Sequence, residues 1–140
     1  MATTVQARTP GLFASTAGTS KTIPIPAGFA AGDNLTLFVA AGAGYLDALA
    51  GWVELFSGDD GNIFWRCWAR TATAGDITAG SFTVNVPGAG KAGLLLLGHY
   101  STSGDCPVAV SAVLEEADID GSHAATAVTM PGPGTVVTVL

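Results

Sequence analysis

At 140 residues the chain is long enough for one domain with a real core, and 49% of it is hydrophobic while only 11% is charged. A typical soluble domain carries about 25% charged residues, so this sparing use of charge suits a subunit that hides part of its outside against partners, although Thr, Ser and Gly also make a neutral wet surface. The net charge is −6, and its five bases (Arg8, Lys21, Arg66, Arg70 and Lys91) form no run, which argues against nucleic acid or an anionic membrane as a partner.

In chain order the pattern is one of short strands between turn signals. "TTVQAR" (3–8) reads as a first strand and "TSKTIPI" (19–25) as a second, near an edge because Pro24 cannot donate to a ladder. "NLTLFVA" (34–40) follows the turn signal Gly32-Asp33, with Asp33 expected to hydrogen-bond local backbone. Alternation puts Leu35, Leu37 and Val39 on one face and Thr36, Phe38 and Ala40 on the other, so Phe38 needs cover from a second layer or a neighbouring subunit. "YLDALAGW" (45–52) reads as a loop or a single helical turn, and "WVELF" (52–56) alternates. "SGDDGN" (57–62) is dense turn chemistry with Asp60-Gly61 as a hairpin signal.

"NIFWRCWART" (62–71) carries aromatics on both faces, with Trp65 and Cys67 on one and Phe64, Arg66 and Trp68 on the other. "SFTVNV" (81–86) alternates. In "AGLLLLGHYS" (92–101) the run Leu94–Leu97 is apolar on both faces, so this strand is central or its outer side meets another subunit. "VAVSAVL" (108–114), "ATAVTM" extended by Met130 (124–130) and "TVVTVL" (135–140) complete the set. Roughly eight to ten strands with almost no helical periodicity predict an all-β fold, an antiparallel β-sandwich or jelly roll. Residues 1–140 read as a single domain without a linker, and the apolar finish "TVVTVL" raises the expectation that the natural product continues past Leu140. No signal peptide or membrane helix is expected.

The candidate chemistry is thin. Asp59-Asp60-Gly61-Asn62 offers clustered oxygens for calcium, but the same residues serve a hairpin turn. Asp118-Ile119-Asp120-Gly121 resembles the start of a calcium loop, but its glycine comes too early and no glutamate follows. His99 and His123 are the two histidines, and neither lies near a Gly-x-Ser-x-Gly elbow; no pair of acids is marked out for glycoside hydrolysis. Cys67 and Cys106 form one disulfide or stay as two thiols, and no Cys-x-x-Cys metal spacing exists. The catalytic, cofactor and metal expectations are therefore all "none". Trp52, Trp65, Trp68 and Tyr100 are the candidate contact residues, for a subunit interface or a stacked sugar.

The order of motifs "PAGFAAGDNLTLFVA", "GWVEL", "IFWRCWA", "SFTV" and "LLLLGHY" resembles a β-sandwich domain of tailed-bacteriophage virion proteins. The matching positions are Pro26, Gly28, Gly32, Asp33, Leu35, Leu37, Gly51, Trp52, Leu55, Trp65, Ala69, Phe82, Leu95, Leu97 and Tyr100. The resemblance implies a non-enzymatic structural role in the virion, assembled in the cytoplasm of a bacterial host. A capsid decoration (cementing) protein is the leading expectation; the alternatives are a tail, collar or fibre component, or a carbohydrate-binding adhesin module. The implied partners are other copies of the chain in a homo-oligomer such as a trimer, and virion proteins such as the major capsid protein. A host surface glycan ranks below these, and no cofactor is implied.

Overall fold

A computed structural model describes residues 5–7, 11–15, 18–42, 46–59, 61–86 and 91–101. Eight strands and one short helix follow in the order β1 (Val5–Ala7), β2 (Gly11–Ser15), β3 (Ser20–Pro24), β4 (Asn34–Ala41), β5 (Val53–Asp59), β6 (Phe64–Thr71), α1 (Ala74–Ala79), β7 (Ser81–Asn85) and β8 (Ala92–Ser101). The fold is the expected all-β one, two antiparallel sheets packed together. The expected strands at 108–114, 124–130 and 135–140, together with Asp118–Gly121 and Cys106, lie outside the described residues.

The larger sheet runs β8-β4-β6-β5, and β1 and β2 share the remaining edge of β8. Its axis is β4, which pairs along its whole length with both β6 and β8: Leu37 sits opposite Trp68 on one side and Leu96 on the other. The second sheet is the pair β3–β7. Its inward residues Ile23, Phe82 and Val84 meet Leu35, Leu37, Val39, Leu94 and Leu96 in one buried cluster. The alternation read from the sequence therefore holds, and Leu35, Leu37 and Val39 have no exposed surface at all. Strand β8 is central, as its two-faced apolar run requires.

The Pro26–Asp33 loop closes one end of the sandwich. Asp33 is buried, and its carboxylate accepts from the Ala30 N–H at 2.8 Å while its own N–H donates to the Ala30 carbonyl at 3.1 Å. The loop is then tied across to the end of β6: the Gly32 N–H donates to the Ala72 carbonyl at 2.9 Å and the Ala72 N–H to the Asp33 carbonyl at 2.8 Å. Gly28 and Gly32 both take positive φ, 95° and 93°, which glycine adopts without a Cβ penalty. So held, the loop lays the Phe29 ring on Gly98 of β8, in the space that a Cβ there would fill.

Two elements fall outside the sequence expectations. Strand β2, "GLFAS", lacks a full alternating run and is a strand because β8 offers it an edge, Gly11 opposite Leu96 through Ser15 opposite Ala92. Helix α1 is a single capped turn and a half. Thr73 accepts from the Asp76 N–H at 3.2 Å, the Asp76 carboxylate accepts from the Thr73 N–H at 2.7 Å, and Gly80 ends the helix in the left-handed region.

Leu37→Ala removes a fully buried side chain from the middle of the central strand. It is expected to lower unfolding free energy by about 2–5 kcal/mol, read as a shifted midpoint in a urea titration with unchanged slope.

Candidate functional site: the outer face of the large sheet

The register of β4 fixes what points away from the core. Thr36, Phe38 and Ala40 lie opposite Ala69, Cys67 and Trp65 on β6, and opposite Leu97, Leu95 and Gly93 on β8. Strand β5 adds Val53, Phe56 and Gly58, opposite Ala69, Cys67 and Trp65. These positions include no Asp, Glu, Lys or Arg. Phe38, Phe56, Trp65, Leu95 and Leu97 are half-buried, and Val53 is 68% exposed. Phe38 and Phe56 pack across the sheet with ring centroids 6.2 Å apart. The Trp65 ring lies flat across Gly58, in the space a Cβ would need, so glycine at 58 is what lets the indole lie on the sheet. Polar groups appear at one end, where the Thr71 hydroxyl donates to the side-chain amide oxygen (Oδ1) of Asn34 at 3.4 Å.

Two buried groups sit within this face. Cys67 is a free thiol, 3% exposed, and burial pushes its pKa up to about 12. It is protonated at neutral pH and is a packing residue, since the thiolate is the reactive form. Thr36 is buried, and its hydroxyl has no hydrogen-bond partner.

The opposite, inward side of β5 and β6 is polar where the small sheet does not reach. Glu54 accepts from the Ser57 hydroxyl at 2.7 Å and pairs with Arg66 at 3.3 Å. A shallow cleft of about 280 Å³ at the end of this hairpin is lined by Leu46, Ser57, Asp59, Phe64 and Arg66, among others. At the other end of β6 the Arg70 guanidinium lies over the rings of Trp52 (5.5 Å) and Phe82 (5.9 Å) and bonds the Asp76 carboxylate at 2.9 Å. Trp52 and Phe82 meet edge to face at 5.1 Å. This cluster ties the lead-in to β5, strand β6, helix α1 and strand β7 together. Desolvation raises the pKa of Asp76, but the hydrogen bonds from Thr73 and the charge of Arg70 outweigh it and hold the carboxyl below its ordinary value.

The three tryptophan candidates do not form one platform. Trp68 is 1% exposed inside the core and offers no surface to a sugar or a partner. Trp52 is half-buried at the rim of the core against Phe82, and Trp65 is on the opposite side of the sheet. Tyr100 holds a strand position opposite Gln6. Where the β5–β6 hairpin turns, beyond the Asp59–Phe64 pair, Gly61 takes φ 87° and its N–H donates to the Asp59 carboxylate. Among the described residues no group of three or more His, Cys, Asp or Glu is placed to hold a metal ion. Sequence reasoning named Phe38 and the Leu94–Leu97 strand as needing cover, but not Val53, Phe56 or Gly58. Their place on this face depends on a bulge at Leu55, where the register shifts between Glu54 and Phe56.

Comparison with protein-family models, with curated proteins and with solved structures finds no match for this chain.

Two outcomes follow from the buried groups. Cys67 is expected to resist thiol reagents in the native protein and to react once the chain is unfolded, measured by mass spectrometry of the labelled peptide. The depressed pKa of Asp76 contributes stability that is full above the unfolded carboxylate pKa and is lost as pH falls through the lower folded value. The urea midpoint of Asp76→Asn should therefore lie below that of the wild type at pH 7, and the gap should close in acid.

Proposed function

We propose that the chain is a non-enzymatic structural subunit of a tailed-bacteriophage virion, a capsid decoration protein that works by covering area. The observation that carries this reading is the outer face of the large sheet. Four strands present an uncharged, apolar surface made of Phe38, Val53, Phe56, Trp65, Leu95 and Leu97. Contiguous apolar surface of this kind marks interaction sites on soluble proteins, and a cementing subunit needs such a surface together with a rigid scaffold behind it. The motif order from Pro26 to Tyr100 supplies the phage assignment. A tail, collar or fibre position would use the same face, so location separates the readings.

The test is electron microscopy of particles that carry a gold-labelled copy of the full chain. Label on the capsid shell is the expected result. Label on the tail moves the protein to a tail, collar or fibre role. Particles without label overturn the virion assignment.

A further inference from the structure

We infer that the outer face of the large sheet is the interface of a two-fold homodimer, in which two copies stack sheet on sheet through Phe38, Val53, Phe56, Trp65, Leu95 and Leu97. The inference deepens the assembly reading above by naming the partner as a second copy of this chain.

Charge is the first argument. At a net charge of −6, two copies repel wherever their acidic surfaces meet, and juxtaposed like charges oppose association. The outer face carries no Asp, Glu, Lys or Arg on β4, β5, β6 or β8, so it is self-complementary without an electrostatic penalty. Its polar end, Asn34 with Thr71, supplies the wet rim that interfaces carry around an apolar centre.

Area is the second. Four strands at about 4.8 Å spacing and eight residues at about 3.3 Å rise present about 500 Å² per copy, hence about 1,000 Å² for a pair, which reaches the threshold of a specific interface. A flat face set against its own copy gives an isologous two-fold contact, which closes at two subunits. Pairing through the free edge of β5 is opposed by the bulge at Leu55.

Val53 is the probe, because it lies on this face and is 68% exposed, so a substitution there leaves the fold intact. Sedimentation equilibrium of the full chain up to about 100 µM is expected to show a dimer, a concentration high enough for the weak affinity of a small interface. Val53→Glu buries a carboxylate in the apolar contact and is expected to raise the dimer Kd about tenfold or more, while Val53→Gln, of the same size but uncharged, is expected to raise it clearly less. Circular dichroism of both variants should match the wild type. A chain that stays monomeric throughout overturns the proposal, whether the face stays wet or is taken by residues 102–140 or another protein. A dimer indifferent to Val53→Glu places the interface elsewhere and equally overturns it. Both readings are independent of where the label falls on a phage particle, so this proposal and the virion assignment fail separately.

Discussion

Strand β4 lies at the middle of the large sheet and sends side chains to both of its faces, and that sets the condition for the whole molecule. Its register runs unbroken from Asn34 to Ala41 with β6 on one side and β8 on the other, so the strand itself is secure. Its side chains then divide the protein in two. Leu35, Leu37, Val39 and Ala41 point into the space that β3 and β7 close, and they are buried to 1% exposure or less. Thr36, Phe38 and Ala40 point the other way, into a surface that the neighbouring strands continue with Leu95, Leu97, Cys67 and Phe56. The first division gives the core and the second gives the candidate interface; both follow from one alternating octapeptide and its two neighbours.

Among the described residues the small sheet has two strands, and contacts at its ends help to hold it on the large one. At one end the Asp33 carboxylate locks the loop that carries Phe29, and Phe29 fills the space over Gly98. Nearby, Arg70 reaches from β6 to the rings of Trp52 and Phe82 and to Asp76. The Ile25 N–H bonds the Gly80 carbonyl at 2.9 Å, which joins the end of β3 to the cap of α1. An exposed ion pair contributes at most about 1 kcal/mol. Arg70 and Asp76 are largely shielded, with side chains 21% and 15% exposed, and the guanidinium is also stacked on aromatic faces, so the pair acts through position and packing as well as charge. These polar clasps allow two strands to cover the centre of a wider sheet without sliding.

Within the described residues most strands were legible from alternation or an unbroken apolar run, which is why β3, β4, β6, β7 and β8 fall within a residue or two of their expected bounds. The turn before β4 was legible as well, because Gly-Asp has a local mechanism that needs no tertiary partner. Strand β2 was not, since "GLFAS" is made a strand by the free edge of β8, a partner some eighty residues away in the chain. Helix α1 carried its signal in Thr73-Ala74-Gly75-Asp76 followed by Gly80, but a helix of six residues shows no periodicity from which to read it. The candidate face was half legible. Phe38 and the leucine run announced a need for cover, and the aromatic residues were singled out as a set, yet their distribution over two sides of the sheet depends on register.

Register also explains why the two sides of β5 differ in chemistry. Without the irregularity at Leu55, alternation from Val53 would send Phe56 to the inward side and Ser57 to the outward one. The shift between Glu54 and Phe56 instead keeps Phe56 beside Phe38 on the apolar face and returns Ser57 to the polar side, where its hydroxyl reaches Glu54. A bulge costs ladder hydrogen bonds and bends the strand, and its position on an edge strand means that little pairing is lost. The same distortion makes the free edge of β5 a poor template for another strand. One inserted residue thus keeps the apolar side chains of β5 on the outer face and its polar ones on the inward side.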